Sequence, residues 1–256
     1  MTVNINIIYV LIFLIIFFLI LDFYKKNFNK LEENKLEENK LEENNFEEIN
    51  FYTISLKKRE RLENIEKQNK KLKTKIKIID AINGINIEQN KLLEENILSK
   101  NFVDNNLKRN KEIGCYLSHK KIYEIIKENK ENKKYSIIFE DDFNIISENI
   151  IEELKNIIIL INELEFDILF LGNTFDNIGT QIKNNIYSIN KEKYTIGNFG
   201  YLINNKNINK LIDLIKVIDS PIDNKIDTLI KNNKLNCIVI YPNIINYVSE
   251  IKSDIL

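Results

Sequence analysis

Three carboxylates stand side by side at Glu140-Asp141-Asp142, directly after the apolar, strand-forming run Tyr135-Ser136-Ile137-Ile138-Phe139. Adjacent like charges repel, and a strand end gains nothing from them. Hard cations such as Mg²⁺ and Mn²⁺ take oxygen ligands, and a carboxylate pair on a sheet rim can hold one with positions left open for substrate phosphates. Period-2 alternation through the triplet puts Glu140 and Asp142 on one face and Asp141 on the other, so the candidate metal pair has the spacing acid-x-acid. A solvated acidic turn closing a strand is the other reading of the same residues.

Other side chains capable of chemistry lie elsewhere in the chain. Lys57, Lys58, Arg59 and Arg61 follow a strand-like stretch over residues 51–56. They would occupy a βα turn, where phosphates bind, and they equally suit an ordinary solvated amphipathic helix. His119 is the only histidine and sits on an expected helix beside Gly114 and Cys115, where it is a packing residue or a catalytic candidate. Asp223 and Asp227 are four apart on one face of a helix opened by Pro221. They are candidate catalytic acids or bases, or simply charges that suit a helix amino terminus.

The elements that must position these groups alternate in type. Residues 51–56 read as a first strand, 57–71 as a helix with Leu62, Ile65 and Leu72 at helical spacing, and 75–80 as a second strand ending in the turn signal Ala81-Ile82-Asn83-Gly84. A long helix is expected from Glu112 to about Asn129, with Gly114 allowing another backbone to approach. The acidic strand is followed by an amphipathic helix over 150–164 and a buried strand over 166–172 ended by glycine. A glycine-containing strand over 194–203, helices over 208–218 and from Pro221, and a strand over 235–241 complete the pattern. Strands alternating with helices predict an α/β fold, a mixed sheet flanked by helices.

Composition narrows the function. The formal charge is −1, with 37 Lys+Arg against 38 Asp+Glu, so nothing in the overall charge suggests a nucleic-acid partner. Two cysteines, Cys115 and Cys237, and one histidine exclude a disulfide framework or a zinc cluster, and leave a single Cys115–Cys237 bridge open. At 44% hydrophobic content, the 256 residues suffice for one ordinary domain and an accessory segment.

The accessory segment is amino-terminal. Residues 7–21 are an unbroken apolar run with no small-x-small site after it, so residues 1–24 are expected to be an uncleaved, single-pass transmembrane anchor. Lys25, Lys26 and Lys30 favour a cytoplasmic catalytic part by the positive-inside rule. Leu31-Glu32-Glu33-Asn34-Lys35 recurs at 36–40 and, with a final Asn, at 41–45. A five-residue period makes no continuous helix face, so residues 25–49 read as a charged stem and 50–256 as the domain that acts.

Taken together, the motifs resemble glycosyltransferase family 25, the lipopolysaccharide-modifying and procollagen galactosyltransferases. Tyr52-Thr53-Ile54-Ser55-Leu56-Lys57-Lys58-Arg59-Glu60-Arg61 is similar to the family's opening strand and basic turn. Gly114-Cys115-Tyr116-Leu117-Ser118-His119 is similar to "G-C-x-L-S-H", Ile138-Phe139-Glu140-Asp141-Asp142 to "L-E-D-D", and Phe166-Asp167-Ile168-Leu169-Phe170-Leu171-Gly172 to "W-D-x-x-x-L-G". Gly197 to Ile203 and Pro221-Ile222-Asp223 resemble two further motifs, in the same order. The resemblance implies a GT-A-type, Rossmann-related fold and transfer of a hexose, galactose or glucose, from a nucleotide sugar such as a UDP-hexose to a hydroxyl of a glycan or protein. It implies Mn²⁺ or Mg²⁺ held by Glu140 and Asp142, donor contacts from Ser55, Lys57, Arg59, Arg61 and Gly114, and catalytic candidates in Asp142, Asp223, Asp227 and His119. The resemblance also allows a lumenal catalytic part if the protein is of the eukaryotic type. The first strand departs from the family pattern at Ile54-Ser55-Leu56-Lys57. The alternative is a membrane-tethered, catalytically inactive binding or scaffolding protein on the same fold.

Overall fold

The structure is a computed structural model. It describes Lys25 and residues 46–249, apart from 105, 132, 174–177, 194–196 and 198. The chain divides into two units, Met1–Glu47 and Glu48–Leu256, and the sheet and its helices belong to the second. The single-pass membrane assignment is corrected: among the described residues no helix is long and apolar enough to cross a membrane. The apolar run 7–21 and the repeats to residue 45 lie outside the described residues.

Strand β1 (Ile49–Ser55) leads into helix α1 (Arg59–Leu72) and strand β2 (Lys77–Asp80). A 3₁₀ turn (Gly84–Asn86) and short helix α2 (Gln89–Glu94) precede the long helix α3 (Leu107–Glu128). Then come β3 (Tyr135–Glu140), β4 (Phe143–Ile145), helix α4 (Ile150–Ile161), β5 (Ile168–Phe170), β6 (Ile178–Lys183), β7 (Ile186–Ile189) and β8 (Gly200–Asn204). Helices α5 (Ile208–Leu214) and α6 (Ile222–Lys231) lead to β9 (Cys237–Ile240) and β10 (Ile245–Tyr247). The main sheet among the described residues has the order β2-β1-β3-β8-β5-β9-β7-β6. Strands β2, β1 and β3 are parallel, β8 runs against both its neighbours, and β4 pairs with β10 in a separate ribbon. The fold is a mixed α/β fold, a large mixed sheet flanked by helices.

Period-2 alternation in the central strands divides the core. Tyr52, Ile54, Ile138, Phe170 and Tyr201 join one buried cluster with Ile113, Tyr116, Ile122, Tyr123 and Ile126 of α3 and with residues of α5 and α6. The intervening Phe51, Ile137, Phe139 and Leu169 are buried too but lie outside that cluster. Beyond them, Ile65 and Leu72 of α1 and Leu154, Ile157 and Ile161 of α4 are also buried. Strands covered on both faces read as continuous apolar runs, which is how Tyr135 to Phe139 appears in the sequence.

Several boundaries differ from expectation for local reasons. Helix α3 starts at Leu107 rather than Glu112, because the Asn106 side chain accepts a hydrogen bond from the Arg109 N–H and caps it. His119 therefore lies well inside the helix. The β6–β7 hairpin has no expected counterpart: β6 is a mostly exposed edge strand with no apolar alternation, and its turn is made by Asn184 at φ 49°. On α1, Leu62 is 36% exposed while Arg61, Asn64 and Gln68 are buried. The helix turns a polar stripe inward, contrary to the solvated amphipathic reading.

Candidate active site

Parallel strands β1 and β3 are neighbours, yet the chain leaves β1 for β2 on the other side, so a crevice opens between their carboxyl ends where the connections diverge. A cleft of about 390 Å³ occupies this place. Its lining includes Ser55 and Lys58 after β1, Ile82 and Ile85 after β2, Cys115 and His119 of α3, and the acids Glu140, Asp141 and Asp142. A larger hollow of about 540 Å³ lies at the opposite strand ends, around Asn50, Tyr135 and Asn204. Its carboxylate, Glu165, is already paired with Lys206, whereas three carboxylates, a histidine and a cysteine converge in the smaller cleft.

The acidic triplet does not alternate. Strand β3 ends at Glu140, and Asp141 and Asp142 form a turn, so the two-residue period stops one residue short. Glu140 faces α3, with Oε1 3.5 Å from His119 Nε2. Asp141 and Asp142 both turn to α1, where one Arg61 guanidinium nitrogen lies 2.9 Å from Asp141 Oδ1 and 3.0 Å from Asp142 Oδ2. The turn is gripped further by the inward stripe of α1. Asn64 Nδ2 donates to the Asp141 and Phe143 carbonyls at 3.0 and 2.9 Å, and Gln68 Oε1 accepts from the Ile145 N–H at 3.1 Å. Asp142 Oδ1 is buried and has no hydrogen-bond partner among the described residues.

The other site candidates separate into groups. Ser55 is buried on the cleft wall, and its Oγ accepts from the Lys57 N–H at 2.9 Å, holding Lys57 at φ 59°. Lys57 is ion-paired with Asp80 at the end of β2. Arg59 is 93% exposed and pairs with Glu63, away from the acids, while Arg61 clamps the acidic turn from the cleft wall, its side chain only 2% exposed. Lys58 of the basic turn and Lys111, which the sequence did not single out, are the lysines that line the cleft. On α6, Asp227 is buried and paired with Lys231 at 2.8 Å. Asp223, one helical turn earlier, instead stands in the electrostatic field of Glu140 and His119.

Burial and mutual repulsion set the charges here. Glu140 is pushed up to about 8 by burial and then by Asp142 and Asp141, with Arg61 pulling it back. Asp223 rises to about 7 through burial and the nearby Glu140. Burial holds His119 down at about 4, so its imidazole is neutral at physiological pH. His119 Nδ1 lies 2.7 Å from the Tyr201 hydroxyl, which is 3.1 Å from that of Tyr123. A carboxylate whose pKa is raised by folding holds a proton that the unfolded chain has released, so stability falls as pH rises through that window. For Glu140 the window is 4.5 to about 8 and for Asp223 it is 3.8 to about 7. The metal-free melting temperature should therefore drop from about pH 5 to about pH 8, and Glu140→Gln should flatten the drop and melt higher than wild type at the alkaline end. Equal slopes for the two proteins would refute this assignment.

A backbone crossing fixes the cleft wall opposite the acids. A Cβ added to Gly114 would stand 2.7 Å from the Ile82 carbonyl oxygen and 2.9 Å from the Gly84 nitrogen, and one on Gly84 only 2.5 Å from Lys111 Cα. Ser118 locks the contact, accepting from the Ile82 N–H at 2.8 Å and donating to the Gly114 carbonyl at 2.7 Å. Gly→Ala inside a helix ordinarily gains about 1 kcal/mol. Here the clash is with backbone, and overpacking costs about 1–3 kcal/mol, so Gly114→Ala should lower the melting temperature. A rise would mean that the helix and the turn can separate freely.

A family model described as glycosyltransferase family 25 (LPS biosynthesis protein) matches residues 48–226, from the start of β1 into α6. No curated protein matches the chain. The crystal structure of A197 from STIV aligns over 80% of this chain and 86% of that one, at 10% identity and a TM-score of 0.38. The matched span contains the basic turn, the Gly114–His119 segment, the acidic turn and Asp223, which the fold gathers about one crevice although the sequence scatters them. The chain belongs to glycosyltransferase family 25.

Proposed function

We propose that this protein transfers a hexose, galactose or glucose, from a nucleotide sugar such as a UDP-hexose to a hydroxyl of a glycan or protein acceptor, with Mn²⁺ or Mg²⁺ bound by Glu140 and Asp142. The observation that carries the reading is the buried, unpartnered Oδ1 of Asp142 beside a Glu140 that burial, and then its neighbours' negative charge, hold largely protonated. A hard cation satisfies both, since it supplies the missing partner of one oxygen and the missing compensation of the other. Bound there, it would offset the charge that develops on the departing diphosphate. Lys58 and Lys111 add positive charge on the cleft wall, and Ile82, Ile85 and Leu107 offer apolar surface to a nucleobase. Asp223, in the electrostatic field of Glu140 and His119, is the candidate base toward an acceptor hydroxyl. The GT-A-type reading draws support from the parallel β2-β1-β3 half-sheet with its crevice at the switch point.

The test is release of nucleoside diphosphate from a panel of UDP-, GDP- and ADP-linked sugars, with and without Mn²⁺ and with candidate acceptors. Metal-dependent release from one donor supports the proposal. Binding with no turnover across the panel would sink it in favour of a binding or scaffolding protein on this fold.

A further inference from the structure

His119 and Glu140 meet in an arrangement that the transferase reading does not use. The His119 side chain is 1% exposed, yet its Nε2 has no hydrogen-bond partner among the described residues. It is aimed at Glu140 Oε1 across 3.5 Å, too far for a good hydrogen bond. Cys115 lies one helical turn before His119 on the same side of α3 and is a free thiol on the cleft wall. One ligand atom each from Cys115, His119 and Glu140 lies within 4.8 Å of the others.

We propose that Cys115, His119 and Glu140 form a site for a borderline-soft divalent cation of the zinc class, separate in chemistry from the all-oxygen pair Glu140 and Asp142. The donor set decides the ion. Thiolate and imidazole select zinc-like ions, whereas Mg²⁺ and Mn²⁺ prefer oxygen throughout. Bonds of about 2.0–2.3 Å to nitrogen, oxygen and sulfur place tetrahedral ligands about 3.3–3.8 Å apart, and the Nε2 to Oε1 separation already has that value. Only the Cys115 sulfur has to close in, by rotation of its short side chain. The thiol gives up its proton to solvent in the cleft as the sulfur–metal bond forms. Tyr201 supplies the outer partner: with Nδ1–H donating to its hydroxyl oxygen, and that hydroxyl donating to Tyr123, Nε2 keeps its lone pair for the ion. Three protein ligands leave a fourth position open to the cleft. Glu140 belongs to both sites, so a zinc-class ion excludes the harder one.

This inference goes beyond the transferase reading and stands or falls separately from it. The full chain is titrated with Co²⁺ under reducing conditions, in the wild type, Cys115→Ala, Cys115→Ser and Asp142→Asn. The wild type should show a thiolate-to-cobalt charge-transfer band and the strong visible absorption of a four-coordinate ion, displaced by Zn²⁺ and not by Mg²⁺. Both Cys115 variants should lose the band and bind Co²⁺ at least about 100-fold more weakly, beyond what an outer partner alone contributes. Asp142→Asn should keep it, even if the same variant loses the Mn²⁺ response expected of the transferase site. Two cysteine variants are used so that a folding defect in one, visible by thermal melting, is not mistaken for a lost ligand. Absence of the band in the wild type, or its persistence in a folded Cys115 variant, overturns the assignment.

Discussion

Arg61→Met will lower the unfolding free energy by about 3–5 kcal/mol, the usual cost of removing one partner from a buried ion pair. Arg61 is 2% exposed and is shared by Asp141 and Asp142, themselves only 11% and 18% exposed, so solvent screening does little to soften the loss. Two carboxylates would remain beside Glu140 without the guanidinium that bridges them, and the three repel one another at the end of β3. In a domain of this size the loss amounts to about 6–20 °C in melting temperature. Arg61→Lys should recover only part of it, since an ammonium is more strongly hydrated than a guanidinium and costs more to bury. A triple variant that also carries Asp141→Asn and Asp142→Asn should regain most of the stability, because no uncompensated pair remains. The measurement is denaturant unfolding of the set in the absence of divalent ions. A loss below about 1 kcal/mol for Arg61→Met would mean that the pair behaves as a surface contact.

Asp142→Asn will lower transferase turnover by about 10²–10³, if losing half of the ion's protein ligands compares with removing one pre-aligned electrostatic partner of the transition state. Stability should hardly change. Asp141 keeps its own contact with Arg61 at 2.9 Å, and one negative charge leaves a crowded site. Activity and folding therefore separate in this variant, whereas in Arg61→Met they fall together. The wild type should gain melting temperature when Mn²⁺ and a nucleoside diphosphate are added together, and Asp142→Asn should lose most of that gain. Asp141→Asn should retain more of it, its carboxylate having no orphaned oxygen. Melting curves of the three proteins across a nucleotide panel decide the matter: full retention of the shift in Asp142→Asn would remove this residue from the metal site.

The sequence alone carried the family and the fold class, because both rest on patterns that survive without neighbours. Tyr135 to Phe139 and Phe166 to Leu171 are apolar runs short enough to be strands and buried enough to need cover on both faces. The co-ordered motifs from Tyr52 to Asp223 fix the family because their order is itself sequence information. The apolar run at 7–21 carries an equally local signal, and it lies outside the described residues. What only the tertiary structure decided was the direction of each charged side chain. Alternation is a property of a continuing strand, and it failed once β3 ended at Glu140 and the next two acids were drawn together by Arg61. Arg61, Asn64 and Gln68 look solvated by type, and their spacing of three and four marks a helix stripe. That they point inward depends on a partner 77 to 81 residues away that offers carboxylates and bare carbonyls. Asp223 and Asp227 share a helix face in the sequence, and position relative to other elements separates them, one near Glu140 and the other tied to Lys231. Local periodicity records which residues can be buried, whereas the charge a buried polar group meets is a long-range fact that the folded sheet supplies.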